Sequence, residues 1–175
     1  MASYTILLSD SITAPDGTIV HRIKHNKTGV LGGYLEHSGN LASDNTCFIH
    51  GSGIVWGNAH VEDDAQISGA YVYGRASVAK DSKVQGRARV YGEAKIYDKA
   101  IIENNAQVFG EANVFGTCVV TGNAKVFGHG KCFGNSRLSG NAIVCDEGGI
   151  AGEDSFGAGI VITGNTTSGT NEYKA

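Results

Sequence analysis

An apolar residue recurs at every sixth position along most of the chain. From Val72 the series runs through Val78, Val84, Val90, Ile96, Ile102, Val108, Val114, Val120, Val126, Cys132, Leu138, Val144, Ile150 and Phe156 to Ile162, with no polar residue in it. Two positions before each of these stands a small residue, mostly alanine, as at Ala76, Ala88, Ala94, Ala106 and Ala124. Side chains two apart on a strand share a face, so the small residue and the aliphatic one both point inward. Two positions after the aliphatic comes glycine (Gly74, Gly92, Gly110), or else Asp or Asn (Asp98, Asn104, Asp146). These residue types tolerate a left-handed backbone best, so each unit ends in a sharp corner. Three such sides close one coil of about eighteen residues.

Upstream the register continues through Ile49, Val55, Val61 and Ile67, with one slip: Ala65-Gln66-Ile67-Ser68-Gly69 is a five-residue unit. The pattern predicts an all-β fold, a single-stranded parallel β-helix (β-solenoid) over residues 47–165. At about 4.8 Å per stacked strand the shaft is roughly 32 Å long. Residues 1–46 lack the repeat. Tyr4 to Leu8 and Thr18 to Lys24 read as strands around the turn signal Pro15-Asp16-Gly17. They predict a β-hairpin cap on the open end of the solenoid, where bare strand edges invite aggregation. Residues 166–175 form a polar C-terminal tail.

The residue just after each aliphatic points outward. Sorted by side, one side carries Trp56, Tyr73, Tyr91, Phe109 and Phe127, then Cys145. The second carries Glu62, Ala79, Tyr97, Phe115, Phe133 and Ala151; the third carries His50, Ser68, Gln85, Glu103, Thr121 and Ser139. Covering one exposed ring gains about 1.5–3 kcal/mol, and two aromatic ladders exceed the apolar surface a monomer ordinarily leaves in water. A threefold oligomer sets one side of each protomer against a different side of the next. Two adjacent aromatic sides and one polar side therefore predict a homotrimer. One feature opposes it: Glu93, Glu111 and Glu147 occupy the corner between the aromatic sides and would repel near the axis.

Composition narrows the reading. Glycine is frequent (26 of 175 residues) and proline almost absent (1), as a chain of many corners requires. The net charge is -3 and Lys and Arg are scattered, so no basic footprint for a nucleic acid polymer or an anionic membrane is present. Of the four cysteines, Cys47, Cys118 and Cys132 fall at inward positions and Cys145 at an outward one. They are expected to be free thiols, the inward three as small buried hydrophobes, which fits a reducing cytosol. The run Ile6-Leu7-Leu8 is too short for a signal peptide or a membrane span, so a cytoplasmic location is expected, and the sequons at Asn26 and Asn165 carry no weight.

The hexapeptides resemble those of the left-handed β-helix superfamily, whose best-known members are trimeric acyltransferases. A closer likeness is to small bacterial and phage-encoded hexapeptide-repeat proteins. It is carried by Leu31-Gly32-Gly33-Tyr34-Leu35-Glu36, then Asn40-Leu41, then Trp56-Gly57-Asn58-Ala59. The resemblance implies the left hand of the helix and, through the acyltransferases, a histidine near a subunit interface as general base. His129, in a corner beside an aromatic side, is the candidate, but no loop insertion, neighbouring acid or base, or C-terminal helix accompanies it. His60 also lacks an evident partner. His21 and His25, four apart on a strand, stand about 13 Å apart, too far to share an ion. The three converging histidines that γ-carbonic anhydrases of this fold use cannot be assembled from His50, His60 and His129.

These observations predict a non-enzymatic homotrimeric scaffold or interaction protein without cofactor, metal or catalytic residues. Its ligand or interface residues are Trp56, Tyr73, Tyr91, Phe109 and Phe127 on one side, Tyr97, Phe115 and Phe133 on the next, with Arg75 and His129. An alternative is a trimer that binds a small molecule, a nucleotide or a sugar, in inter-subunit grooves, where Arg75, Arg87 or Arg89 meets a phosphate. A third is an acyltransferase using His129.

Overall fold

The structure, a computed structural model, describes residues 3–43, 46–153, 155–157 and 159–163; the proposed tail and the sequon at Asn165 lie outside them. The described chain is a parallel β-solenoid of about seven turns. Its strands run from Phe48–His50 to Val161–Ile162, each two or three residues long. They stack into three sheets of seven, seven and six strands, one for each side of the coil, and three N-terminal strands extend the first of these to ten. Stacked partners lie eighteen residues apart, as in Val72 beside Val90 beside Val108. At the slip the step is seventeen, with Ile67 beside Val84.

Sequence and packing agree closely. The inward columns, such as Ala88, Val90, Ala94, Ile96, Ala100 and Ile102, are fully buried or nearly so and form one continuous core. Two serines replace alanine at inward small positions. Ser82 and Ser136 are fully buried, and each hydroxyl donates to a backbone carbonyl three residues back, of Ala79 and Phe133, at 2.7 Å. That internal bond removes the cost of an unmet hydroxyl. The corners take positive φ as expected, at Gly92 (73°), Asp98 (61°) and Asn104 (61°), but also at Lys80 (56°), a residue type outside the Gly/Asp/Asn pattern.

Two cysteine expectations are overturned. Cys118 and Cys132 form a disulfide inside the shaft, with Cα atoms 6.2 Å apart. One sits at a small inward position and the other at an aliphatic one, and coil closure brings the two sulfurs together. Neither residue is a free thiol, so neither supports a reducing compartment. Cys47 and Cys145 are buried and take no part in a disulfide.

The N-terminal region has three strands rather than two. β1 (Tyr4–Thr13) pairs antiparallel with β2 (Ile19–His25), β2 pairs antiparallel with β3 (Leu31–Leu35), and β3 runs parallel to the first strand of side one, Ile54–Val55. The cap thus continues the side-one sheet beyond the first coil. Tyr4, Ile23 and Leu35 join the solenoid core and close its end.

Candidate functional site

The outward rings form two ladders. On side one Trp56, Tyr73, Tyr91, Phe109 and Phe127 stack with neighbouring centroids 4.4–4.9 Å apart and interplanar angles of 2–11°. On side two Tyr97, Phe115 and Phe133 stack at 5.0 and 5.1 Å. The spacing is that of successive strands in a sheet, so each ring covers the face of the next. Tyr73 and the rings after it are half-buried, their free edges turned outward. Burial pushes the phenols of Tyr73, Tyr91 and Tyr97 above their usual value, so they remain neutral hydroxyls near pH 7.

Trp56 departs from its expected place. It is 3% exposed, covered by Ala14, Val20, Tyr34 and Ile54, and its indole N–H donates to the Asp16 carboxylate at 2.7 Å. The hairpin that caps the shaft also folds down over the head of the side-one ladder, so Trp56 is a docking point for the cap and not a free interface residue.

The family-like motif proves to be the joint between cap and shaft. A side chain at Gly32 would stand 2.5 Å from the Ile49 carbonyl, and one at Gly33 2.3 Å from the Gly53 carbonyl, so β3 lies directly on the first coil. Tyr34 is buried beneath the Arg22 guanidinium, 4.4 Å from its ring centroid, and its hydroxyl accepts from Arg22. Leu35 and Leu41 enter the core. Glu36 accepts from the Gly57 N–H at 2.8 Å. Asn40, fully buried, uses all its bonding capacity: Oδ1 accepts from the N–H groups of Glu36 and His37, and Nδ2 donates to the carbonyls of Gly57 and Ala59. A buried amide left unmet would cost about 1–3 kcal/mol; here it locks the cap in register. These motif residues carry the fold rather than chemistry.

The corner between the two aromatic sides presents a stacked column: Arg75, Glu93, Glu111, His129, Glu147. Arg75 bonds Glu93 at 2.9 Å, and the Nδ1 of His129 lies 3.4 Å from the Glu111 carboxylate. His129 therefore does have an acid beside it, contrary to the sequence expectation, because eighteen residues of coil return the chain to the same corner. Glu147 lines the same shallow groove of about 240 Å³, with Lys95 and Lys131. His129 is 54% exposed, and even with the imidazole protonated a solvated pair of this kind contributes about 0–1 kcal/mol. Arg75 and His129 share the column but are kept apart by Glu93 and Glu111, and neither meets Trp56.

The remaining histidines are dispersed. His50 bonds Gln66 on side three; His60, on side two, meets the Gly39 carbonyl at 2.7 Å and Glu62 at 3.6 Å, partners that the sequence did not reveal. Among the described residues no three His, Cys, Asp or Glu side chains converge as metal ligands would. On side three Glu103 accepts from Gln85 and Thr121, each at 3.0 Å, a polar ladder in place of rings.

One hollow arises from the slip. Ser52, Gly69, Tyr71, Gly86, Arg87 and Arg89 line a volume of about 380 Å³ where side three turns into side one. The five-residue unit was visible in the sequence; that it empties a corner was not.

No protein-family model matches the chain, and no curated protein matches it either.

Proposed function

We propose that the protein is a non-enzymatic, self-associating scaffold of the left-handed hexapeptide-repeat kind, assembled as a homotrimer. The observation that supports it is the pairing of two ring ladders on adjacent sides, edges half-open to water, with a hydrogen-bonded polar ladder on the third side. Setting Tyr73, Tyr91, Phe109 and Phe127 of one protomer against Tyr97, Phe115 and Phe133 of the next covers both sets of edges and leaves the polar side in water. Trp56 takes no part. Of the three carboxylates in the corner between the aromatic sides, Glu93 is neutralised by Arg75 within the chain, while Glu111 lies beside His129, which offsets its charge only when protonated, and Glu147 lines the same groove as Lys95 and Lys131. A cytoplasmic location belongs to the same reading.

Sedimentation velocity of the full chain tests it. A trimer is expected for the unaltered protein, and a monomer with an unchanged circular dichroism spectrum for the Phe109→Glu/Phe115→Glu double variant. A monomeric unaltered protein would end the reading, as would a double variant that still sediments as a trimer.

A further inference from the structure

We propose that the hollow at the skipped corner binds the phosphate group of a small phosphorylated molecule through Arg87 and Arg89. The site is built by an omission. In the later coils the residue after the corner glycine or asparagine fills this edge: Arg87, Asn105, Asn123 and Asn141 stand one below another. The asparagines bond each other in a ladder, at 3.3 and 3.2 Å. In the five-residue unit Gly69 runs straight into Ala70, so no side chain stands between Ser52 and Arg87. The floor is glycine: a side chain at Gly69 would meet the Gly86 carbonyl at 2.8 Å and the Ser52 hydroxyl at 3.7 Å.

The walls suit an anion. Arg87 stands in the turn and Arg89 opens the strand Arg89–Val90, one on each side of the buried Ala88; both are exposed and both line the hollow. Three other cations have carboxylate partners: Arg22 with Asp10, Arg75 with Glu93, Lys80 with Asp98. Among the described residues Arg87 and Arg89 have none, and no carboxylate lines the hollow. Two like charges lining one hollow repel, and a dianion between them reverses the sign of that term. The planar fork of a guanidinium matches phosphate oxygens two at a time, and the Ser52 hydroxyl offers a further donor.

Space remains beyond the phosphate. A volume of about 380 Å³ lies at the low end of small-molecule sites. Tyr71 forms the wall away from the corner; its ring packs edge-on against the buried Trp56 at 5.8 Å, which holds it in place for the organic part of the ligand. All six lining residues come from one chain, so the site does not rest on the proposed trimer.

Isothermal titration calorimetry with inorganic phosphate, adenosine monophosphate and adenosine tests the assignment. Saturable binding is expected for the two phosphate compounds, with dissociation constants on the order of millimolar or tighter, and none for adenosine. Adenosine monophosphate binding more tightly than phosphate would place the organic part on Tyr71; equal affinities would identify a site for phosphate alone. Losing either arginine should weaken binding at least about tenfold, and Arg87→Gln/Arg89→Gln should abolish it without shifting the thermal midpoint, since both residues are exposed. Inserting one asparagine between Gly69 and Ala70 restores the six-residue unit, fills the corner, and should abolish binding with both arginines intact. The proposal is overturned if neither phosphate compound saturates, if adenosine binds as well as its monophosphate, or if the arginine variant binds unchanged.

Discussion

Replacing Val20 by alanine should loosen the outer end of the N-terminal hairpin from the shaft. Val20 is fully buried, in one cluster with Ala14, Tyr34, Ile54 and Trp56. The substitution removes two methyl groups, about 1.6 kcal/mol of transfer free energy at ~0.8 kcal/mol each. A cavity term adds to this wherever the walls cannot close in. Here they are held: Trp56 is fixed by its bond to Asp16 at 2.7 Å and by its stack on Tyr73 at 4.4 Å. The total comes to about 2–3 kcal/mol. Trp56 is the single tryptophan of the chain, so its fluorescence reports on this contact alone. The unaltered protein should emit in the blue, as befits an indole 3% exposed. Val20→Ala should shift the emission to the red and lower the urea midpoint of the fluorescence transition by about 1 M or more. Leu8→Ala, on β1 but 75% exposed, is the control and should change stability by no more than about 0.5 kcal/mol. An unaltered protein that emits like a solvated indole would refute the placement of Trp56 under the cap, as would a Val20 variant indistinguishable from the Leu8 one.

Thiol titration of the unfolded, unreduced protein should find two reactive cysteines, Cys47 and Cys145, and reducing the Cys118–Cys132 bond should cost about 3 kcal/mol for a loop of this size; four thiols would contradict the bond. Gly51→Ala should cost only the left-handed backbone penalty of about 1–2 kcal/mol, since nothing lies within 4 Å of the added carbon. Gly92→Ala should cost about 1–3 kcal/mol more, because its carbon would stand 2.8 Å from the Gly110 nitrogen; equal losses would show that the stacked corners have room. The Asp16 carboxyl is held below the usual carboxylate range by the Thr18 N–H first and the Trp56 indole second. Because the folded value is the lower one, the stabilisation is present above the ordinary carboxylate range and is lost as the pH falls through the folded value. Tryptophan emission should therefore red-shift on acidification, and an acid step that persists unchanged in Asp16→Asn would assign it to another group.

The shaft was legible because its periodicity and its packing are one constraint. A fully buried column such as Val72, Val90, Val108 and Val126 admits only apolar residues, and a corner at positive φ favours Gly, Asn or Asp. Six-residue spacing therefore carried the strands, the three sides, the ladders and the place of the slip. It did not reveal β3, since Leu31 to Leu35 holds two glycines and no alternation; they are there because the first coil lies against them.

Everything that depends on a second segment arriving from elsewhere was settled by the tertiary structure. Periodicity states which way Trp56 points from its own coil, but not that the hairpin lies on top of it. Cys118 and Cys132 stand at different inward positions, and only coil closure brings their sulfurs together. His129 and Glu111 stand eighteen residues apart, in one column that the period itself sets, but only the folded coils show that their side chains approach to 3.4 Å. The five-residue unit told where a residue was missing; the corner left open between Ser52, Tyr71, Arg87 and Arg89 is a property of the three coils that surround it. Local spacing determines the direction of a side chain, and the path of the rest of the chain determines what that side chain meets.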